Sequence, residues 1–176
     1  MKHFTPTLLE QFRSSDEEVA ETAAEQLERA AAAYANELQQ IRSTLPTSFC
    51  DLLDRYYLHD AQVAFIGWDD RELRIDLRLD APPCNSLLLH YELAGPASTS
   101  VHVNSQTAKA ASDGPIAWLY DEVEIMNDRT GTLRHSILLT NDLELRVDFR
   151  GFRLIEVPST QVLVSGTCSH SDSAVA

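Results

Sequence analysis

Lysine is almost missing from this chain: Lys2 and Lys109 are the only two among 176 residues, and the other twelve cationic side chains are arginines. Against them stand 27 acidic residues, for a formal net charge of -13. A surface of that sign repels phosphate backbones and anionic lipid headgroups, which argues against nucleic acid and membranes as partners. It serves solubility first, and would suit a basic protein or a cation second. Cysteine is scarce too. Cys50, Cys84 and Cys168 are odd in number, far apart and free of any Cys-x-x-Cys spacing, which argues against a disulfide framework or a cysteine zinc site. Cys50, among Phe49, Leu52 and Leu53, reads as a small buried hydrophobe, while Cys84 in the turn Pro82-Pro83-Cys84-Asn85 reads as exposed, with no activating neighbour. No apolar run approaches the ~20 residues of a membrane span. The opening Met1-Lys2-His3-Phe4-Thr5-Pro6 lacks the basic-then-apolar order of a signal peptide, so the expected compartment is the cytoplasm.

Motifs with chemistry of their own are missing as well. There is no phosphate-binding Gly-x-x-x-x-Gly-Lys-Ser/Thr loop, no Gly-x-Gly-x-x-Gly, no His-Glu-x-x-His and no Gly-x-Ser-x-Gly. No cofactor is expected, and no internal repeat is present.

What the chain does have is a change of period. Thr5 caps a short helix with Pro6 in its first turn, ending near Phe12 or Arg13. Ser15, with Glu18 three residues on, reads as the capping box of a long helix. Val19, Ala23, Leu27, Ala30 or Ala31, Tyr34, Leu38, Ile41 and Leu45 form its apolar stripe, and Pro46 ends it. Thr47 caps a third helix through Tyr56. From Asp60 the spacing becomes two. Residues 62–68 read as a strand. Leu73, Ile75, Leu77 and Leu79 alternate with Arg74, Asp76, Arg78 and Asp80, which puts one face on a core and the other in water. Further strands are expected at residues 86–93, 101–103, 116–126, 132–140 and 143–150, with additions at 152–157 and 161–164. In the strand at 143–150, Leu143, Leu145, Val147 and Phe149 point inward. Residues 104–114 read as a mobile loop, Asn141-Asp142 as a hairpin turn, and 165–176 as a loose tail. Trp68 and Trp118 are assigned to core packing.

Helices first and strands afterwards predict an α+β fold: N-terminal helices, one of them long, packed on a mostly antiparallel sheet of five to eight strands. One domain is expected over residues 1–164, helical to 57 and sheet from 58. Arginines alternating with acids on the outward face are expected to pair across strands.

Two short stretches are candidates for chemistry. Leu58-His59-Asp60-Ala61 joins the last helix to the first strand. A histidine beside a carboxylate can bind a metal or act as a base. Its structural alternative is that Asp60 bonds backbone N–H groups while His59 packs, since neighbours in a strand point to opposite faces. Tyr120-Asp121-Glu122-Val123-Glu124 concentrates carboxylates that suit a hard cation, or else a solvated edge paired with arginines. On a strand, Glu122 and Glu124 share one face and Asp121 takes the other. If the strands bearing them are neighbours, His59, Asp60, Asp121, Glu122 and His135 would form a metal-ligating cluster.

Met1-Lys2-His3-Phe4-Thr5, Leu58-His59-Asp60-Ala61, Leu119-Tyr120-Asp121-Glu122-Val123 and Arg134-His135-Ser136-Ile137-Leu138 together resemble a bacterial domain-of-unknown-function family. Members of that family open Met-Lys-Tyr-Phe-Thr and carry Leu-His-Asp before the first strand. His3 departs from the tyrosine, and the serine-rich tail is longer. The resemblance implies an α+β fold and no activity. The function expected is a non-catalytic, cytoplasmic protein-interaction domain that binds a basic partner, in one version as an immunity protein neutralises a toxin. The alternative is a metal-binding protein or metal-dependent enzyme using the His/Asp/Glu cluster. Self-association through the long helix is a third possibility.

Overall fold

Thr5 sets the start of the first helix. In a computed structural model, which describes residues 1–80, 84–103, 114–127, 129–140 and 143–157, its hydroxyl accepts the Leu8 N–H at 3.3 Å, and Pro6 opens helix α1 (Pro6–Phe12). Helix α2 (Glu17–Ile41) is capped by Asp16 rather than Ser15: the Asp16 carboxylate accepts the Glu18 and Val19 N–H groups. A charged acceptor suits that position because the helix N-terminus carries partial positive charge. A 3₁₀ turn (Arg42–Thr44) leads to α3 (Thr47–Arg55), whose cap position is Pro46, with Thr47 already helical. The α2 stripe is only shallowly covered. Ala23 is buried, Leu27, Tyr34, Leu38 and Ile41 are half-buried, and Val19 is exposed.

After α3 the backbone becomes a sheet, as the change of period requires. Seven strands are described: β1 (Gln62–Trp68), β2 (Glu72–Arg78), β3 (Ser86–Leu93), β4 (Thr99–Val103), β5 (Trp118–Asn127), β6 (Thr132–Leu139) and β7 (Leu143–Glu156). Every pairing is antiparallel, in the order β1-β2-β3-β7-β6-β5 with β4 also on β7. The fold is α+β. β7 is longer than its sequence suggests, running 14 residues straight through Gly151. One of its edges carries β6. The other carries β3 and then β4 in succession, with Leu93 opposite Phe149 and Thr99 opposite Val147. Glu92 lies over Gly151, where a Cβ would stand 2.7 Å from Glu92 Oε2 and 3.2 Å from its Cβ, so glycine fits this position without displacing that side chain. Arg150 is the extra residue of a bulge there, which keeps both Phe149 and Phe152 on the inner face.

The sheet curls until its two outer strands meet at one end. The Asp60 N–H reaches the Trp118 carbonyl at 2.8 Å, the Trp118 N–H the Ala61 carbonyl at 2.9 Å, and the Val63 N–H the Ile116 carbonyl at 2.8 Å. Farther along, no described strand pairs with the outer edge of β5. The curl encloses the main core, with Leu73, Ile75, Leu89, Tyr91, Ile137 and Phe149 pointing in. α3 fills it by placing Phe49, 0% exposed, with ring centroids 5.5 Å from Phe149 and 4.9 Å from Phe152. α1 and the middle of α2 lie on the other side of β5 and β6, over Leu119 and Leu138 with Leu9 between, while Leu38 and Ile41 near the end of α2 pack against the main core.

The alternating charges pair in part across strands, as Arg134 grips Asp148 through two bonds of 2.7 and 2.9 Å between β6 and β7. Trp118 is buried as expected, whereas Trp68 is 54% exposed because it ends β1, an outer strand with no neighbour past β2 there. Cys50 is half-buried against the core. Cys84 is not exposed but half-buried, its thiol donating to the Ser86 carbonyl, and burial raises its pKa. Among the described residues no helix is long and apolar enough to cross a membrane. Pro82-Pro83, Lys109 and most of the expected loop at 104–114, the Asn141-Asp142 turn, the strand expected at 161–164, Cys168 and the tail at 165–176 lie outside the described residues.

Because Phe49 packs α3 onto β6 and β7 through His135, Phe149 and Phe152, Phe49→Ala is expected to cost about 3–5 kcal/mol of stability. Val19→Ala, on the uncovered end of the α2 stripe, is expected to stay within about 0.5 kcal/mol. Urea denaturation of both variants checks the contrast.

Candidate functional site

The site grows from a bulge in β5. Trp118 pairs with Leu139 and Tyr120 with Leu138, so Leu119 is an extra residue on β5. In a regular strand, residues three apart point to opposite faces. The bulge resets the alternation, and Trp118 and Asp121 both face the core. The Trp118 indole N–H therefore donates to Asp121 Oδ1 at 2.9 Å. Across the ladder, His135 Nε2 bonds Asp121 Oδ2 at 3.0 Å, and His135 Nδ1 bonds the Tyr91 hydroxyl at 2.8 Å. A carboxylate only accepts, so Nε2 donates to Asp121, and in the neutral ring Nδ1 is then the acceptor of the Tyr91 hydroxyl. Burial, followed by the charge of Asp121, pushes the Tyr91 pKa up and keeps that hydroxyl protonated.

His135 is 0% exposed and walled by the rings of Phe49, Tyr91 and Trp118, with centroids at 5.0, 5.9 and 5.6 Å. It touches Asp121 and nothing outside. Asp121 is the outer end of this chain of bonds. Its side chain is 19% exposed and opens into a cleft of about 370 Å³ beside the outer edge of β5. α3 supplies one wall, the segment 57–59 a second, and Phe4 with Tyr34 of α2 a third. Tyr34 is fixed there because its hydroxyl accepts the Val123 N–H at 2.9 Å, which also satisfies an edge amide of β5. Burial first, and then the charge of Asp121, raises the Tyr34 pKa well above that of an ordinary tyrosine. Phe4 stacks on Tyr120 at 4.8 Å, while Tyr57 stands 70% exposed at the rim.

His59 and Asp60 do meet, contrary to the alternation argument. Neither lies in a strand, and Asp60 takes a left-handed conformation, φ 67°, that turns its carboxylate back to His59 Nδ1 at 2.9 Å. The Asp60 N–H meanwhile bonds the Trp118 carbonyl, so the closure of the sheet holds the turn. His59 lines the cleft, edge-on to Tyr120 at 5.4 Å.

Glu122 faces the opposite way. It is buried on the outer side of β5, where its two oxygens accept the backbone N–H groups of Lys2, His3 and Phe4, each at 2.7 Å. The amino group of Met1 reaches Glu144 Oε1 at 2.5 Å. Burial drives the Glu144 pKa up, but its bonds to Arg146 and to that amino group outweigh burial and hold it below the usual carboxylate value. Neither Asp121 nor Glu122 pairs with an arginine; both accept from groups inside the fold. Of the expected cluster, then, His59 and Asp121 share a cleft. Asp60 supports His59, His135 lies behind Asp121 with both ring nitrogens taken, and Glu122 clamps the N-terminal segment on the other face.

Among the described residues no group of three or more His, Cys, Asp or Glu side chains could hold a metal ion. The cleft residues that the sequence search missed are aromatic: Phe4, Tyr34 and Tyr57 carry no spacing that separates a cleft wall from a core. No family model, curated protein or solved structure matches the chain.

With both His135 nitrogens occupied and Glu122 turned away, a divalent cation is expected to leave the melting temperature where a chelator leaves it. A thermal denaturation series with and without Mg²⁺, Mn²⁺ and Zn²⁺ checks this, and a rise with any of them would restore the metal reading.

Proposed function

We propose that the chain is a non-catalytic protein-interaction domain whose partner is basic. The observation that carries this reading is the state of Asp121, a carboxylate gripped from inside by two donors and open to solvent only along a cleft. A general base needs a group free to take and release a proton at a reacting atom. Here the histidine that bonds the carboxylate is sealed off, and among the described residues no further group completes a catalytic arrangement with it. A fixed, partly buried negative charge instead suits recognition, because its orientation is settled before any partner arrives.

The surface electrostatics support the same reading. Arg42, Arg55, Arg134 and Arg146 each sit against an acidic side chain, so much of the positive charge is neutralised in place and the surplus of -13 is left to act at long range. Such a surplus steers a basic partner into fast, salt-sensitive association. An immunity-like role, in which this domain covers a basic toxin, is one form of the proposal. The resemblance to the bacterial family of unknown function is compatible with it and adds no activity. The His59–Asp60 pair favours a second reading, an enzyme in which His59 works at the cleft mouth. Its weakness is that no serine, threonine or cysteine is among the described residues that line the cleft with it.

Immobilised protein is expected to retain basic proteins at low salt and to release them as ionic strength rises. Recovery of only acidic or neutral proteins, or binding indifferent to salt, would contradict the proposal.

A further inference from the structure

We propose that the cleft is a receptor for an arginine side chain presented by the basic partner, with the guanidinium seated on Asp121; this rests on the interaction reading above and names the group that is recognised.

Three observations carry it. The first is the carboxylate. An ionised carboxyl offers about four acceptor positions. Trp118 and His135 take one on each oxygen. One acceptor position remains on each oxygen, which is the arrangement that a planar, two-pronged donor fits. The second is the wall. Phe4, Tyr34, Tyr57, His59 and Tyr120 surround the approach to Asp121, and aromatic faces attract a guanidinium and stack with it. Tyr57 and His59 already lie nearly parallel, 26° apart with centroids at 6.0 Å. The third is charge. No lysine or arginine is among the described residues that line the cleft; beyond the lining, the charges of Asp60 and Arg13 both act on Tyr120 and oppose each other there. A volume of about 370 Å³ holds one long side chain, but not a folded element.

An arginine is favoured over a lysine on these grounds. An ammonium is a compact, strongly hydrated charge whose three N–H donors diverge from one nitrogen, so they match two coplanar acceptor positions less well and cost more to desolvate. The guanidinium satisfies both and gives up less hydration.

The indole N–H of Trp118 is a built-in reporter, since its hydrogen bond ends on the same carboxylate. With ¹⁵N-labelled protein and N-acetyl-arginine amide as the probe, that resonance is expected to shift and saturate, and N-acetyl-lysine amide is expected to bind more weakly. Tyr57→Ala, at an exposed rim position, is expected to keep the fold and weaken the arginine probe by about two- to fivefold, the worth of one exposed cation–aromatic contact. An indole signal indifferent to the arginine probe, or equal binding of the lysine probe, would overturn the inference. The outcomes also separate the two readings. Basic proteins retained equally by wild type and Tyr57→Ala, with a silent indole signal, would remove the cleft and leave the interaction domain. A saturating indole shift with no basic protein retained would do the reverse.

Discussion

A carboxylate at the edge of an apolar core has to be paired, and the pairing of Asp121 organises this molecule. Its two inner bonds come from Trp118 on the same strand and His135 on the next, and His135 is held in turn by Tyr91. Hydrogen bonds to a charged group contribute about 1.5–3 kcal/mol each, and a buried partner left unpaired costs a similar amount. The chain of bonds runs from β3 to β6 to β5 through the interior, although β3 and β5 are not neighbours in the sheet. It therefore ties the curl together from within. The bulge at Leu119 makes it possible, because with Leu119 paired regularly in the ladder Trp118 and Asp121, three residues apart, would face opposite sides of β5.

Two successive acids on one strand then do opposite work. Asp121 points inward, is bonded by side chains of the core, and keeps part of itself open to the cleft. Glu122 points outward and gathers three backbone N–H groups of residues 2–4. The second arrangement supports the first: with the N-terminal segment fixed, Phe4 is held over Tyr120 and against Tyr34, which completes the cleft wall. The acidity of the chain is therefore of two kinds. Some carboxylates are structural, satisfied inside the fold, and the remainder make the negative field around it.

Much of the architecture was legible in the sequence because it rests on local periodicity. The switch near Asp60 placed β1 at residues 62–68, the Thr5 cap placed α1, and the alternation at 143–149 assigned the inner face of β7 correctly. What was not legible depends on long-range pairing. Nothing local says that β7 lies between β3 and β6, or that it continues through Gly151, because the neighbour that makes glycine fit there is Glu92, distant in sequence. The candidate residues show the same division. His135 and Asp121 were named, and the register brings them together, but the bulge that joins Trp118 to them has no sequence signature. His59 and Asp60 meet in a left-handed turn at Asp60, whose N–H bonds the distant Trp118 carbonyl. The capping box at Ser15 lost to Asp16 because two acceptors stood side by side and the charged one lies nearer the free amides.

The hydrogen-bonding state of His135 tests the account most directly. Nitrogen chemical shifts of its ring in solution are expected to show a proton on Nε2 and a hydrogen-bonded, unprotonated Nδ1, unchanged when the cleft is occupied. A ring protonated on Nδ1 alone, or one that exchanges rapidly with solvent, would mean that Asp121 is not held from the core, and the fixed carboxylate on which the cleft depends would not exist.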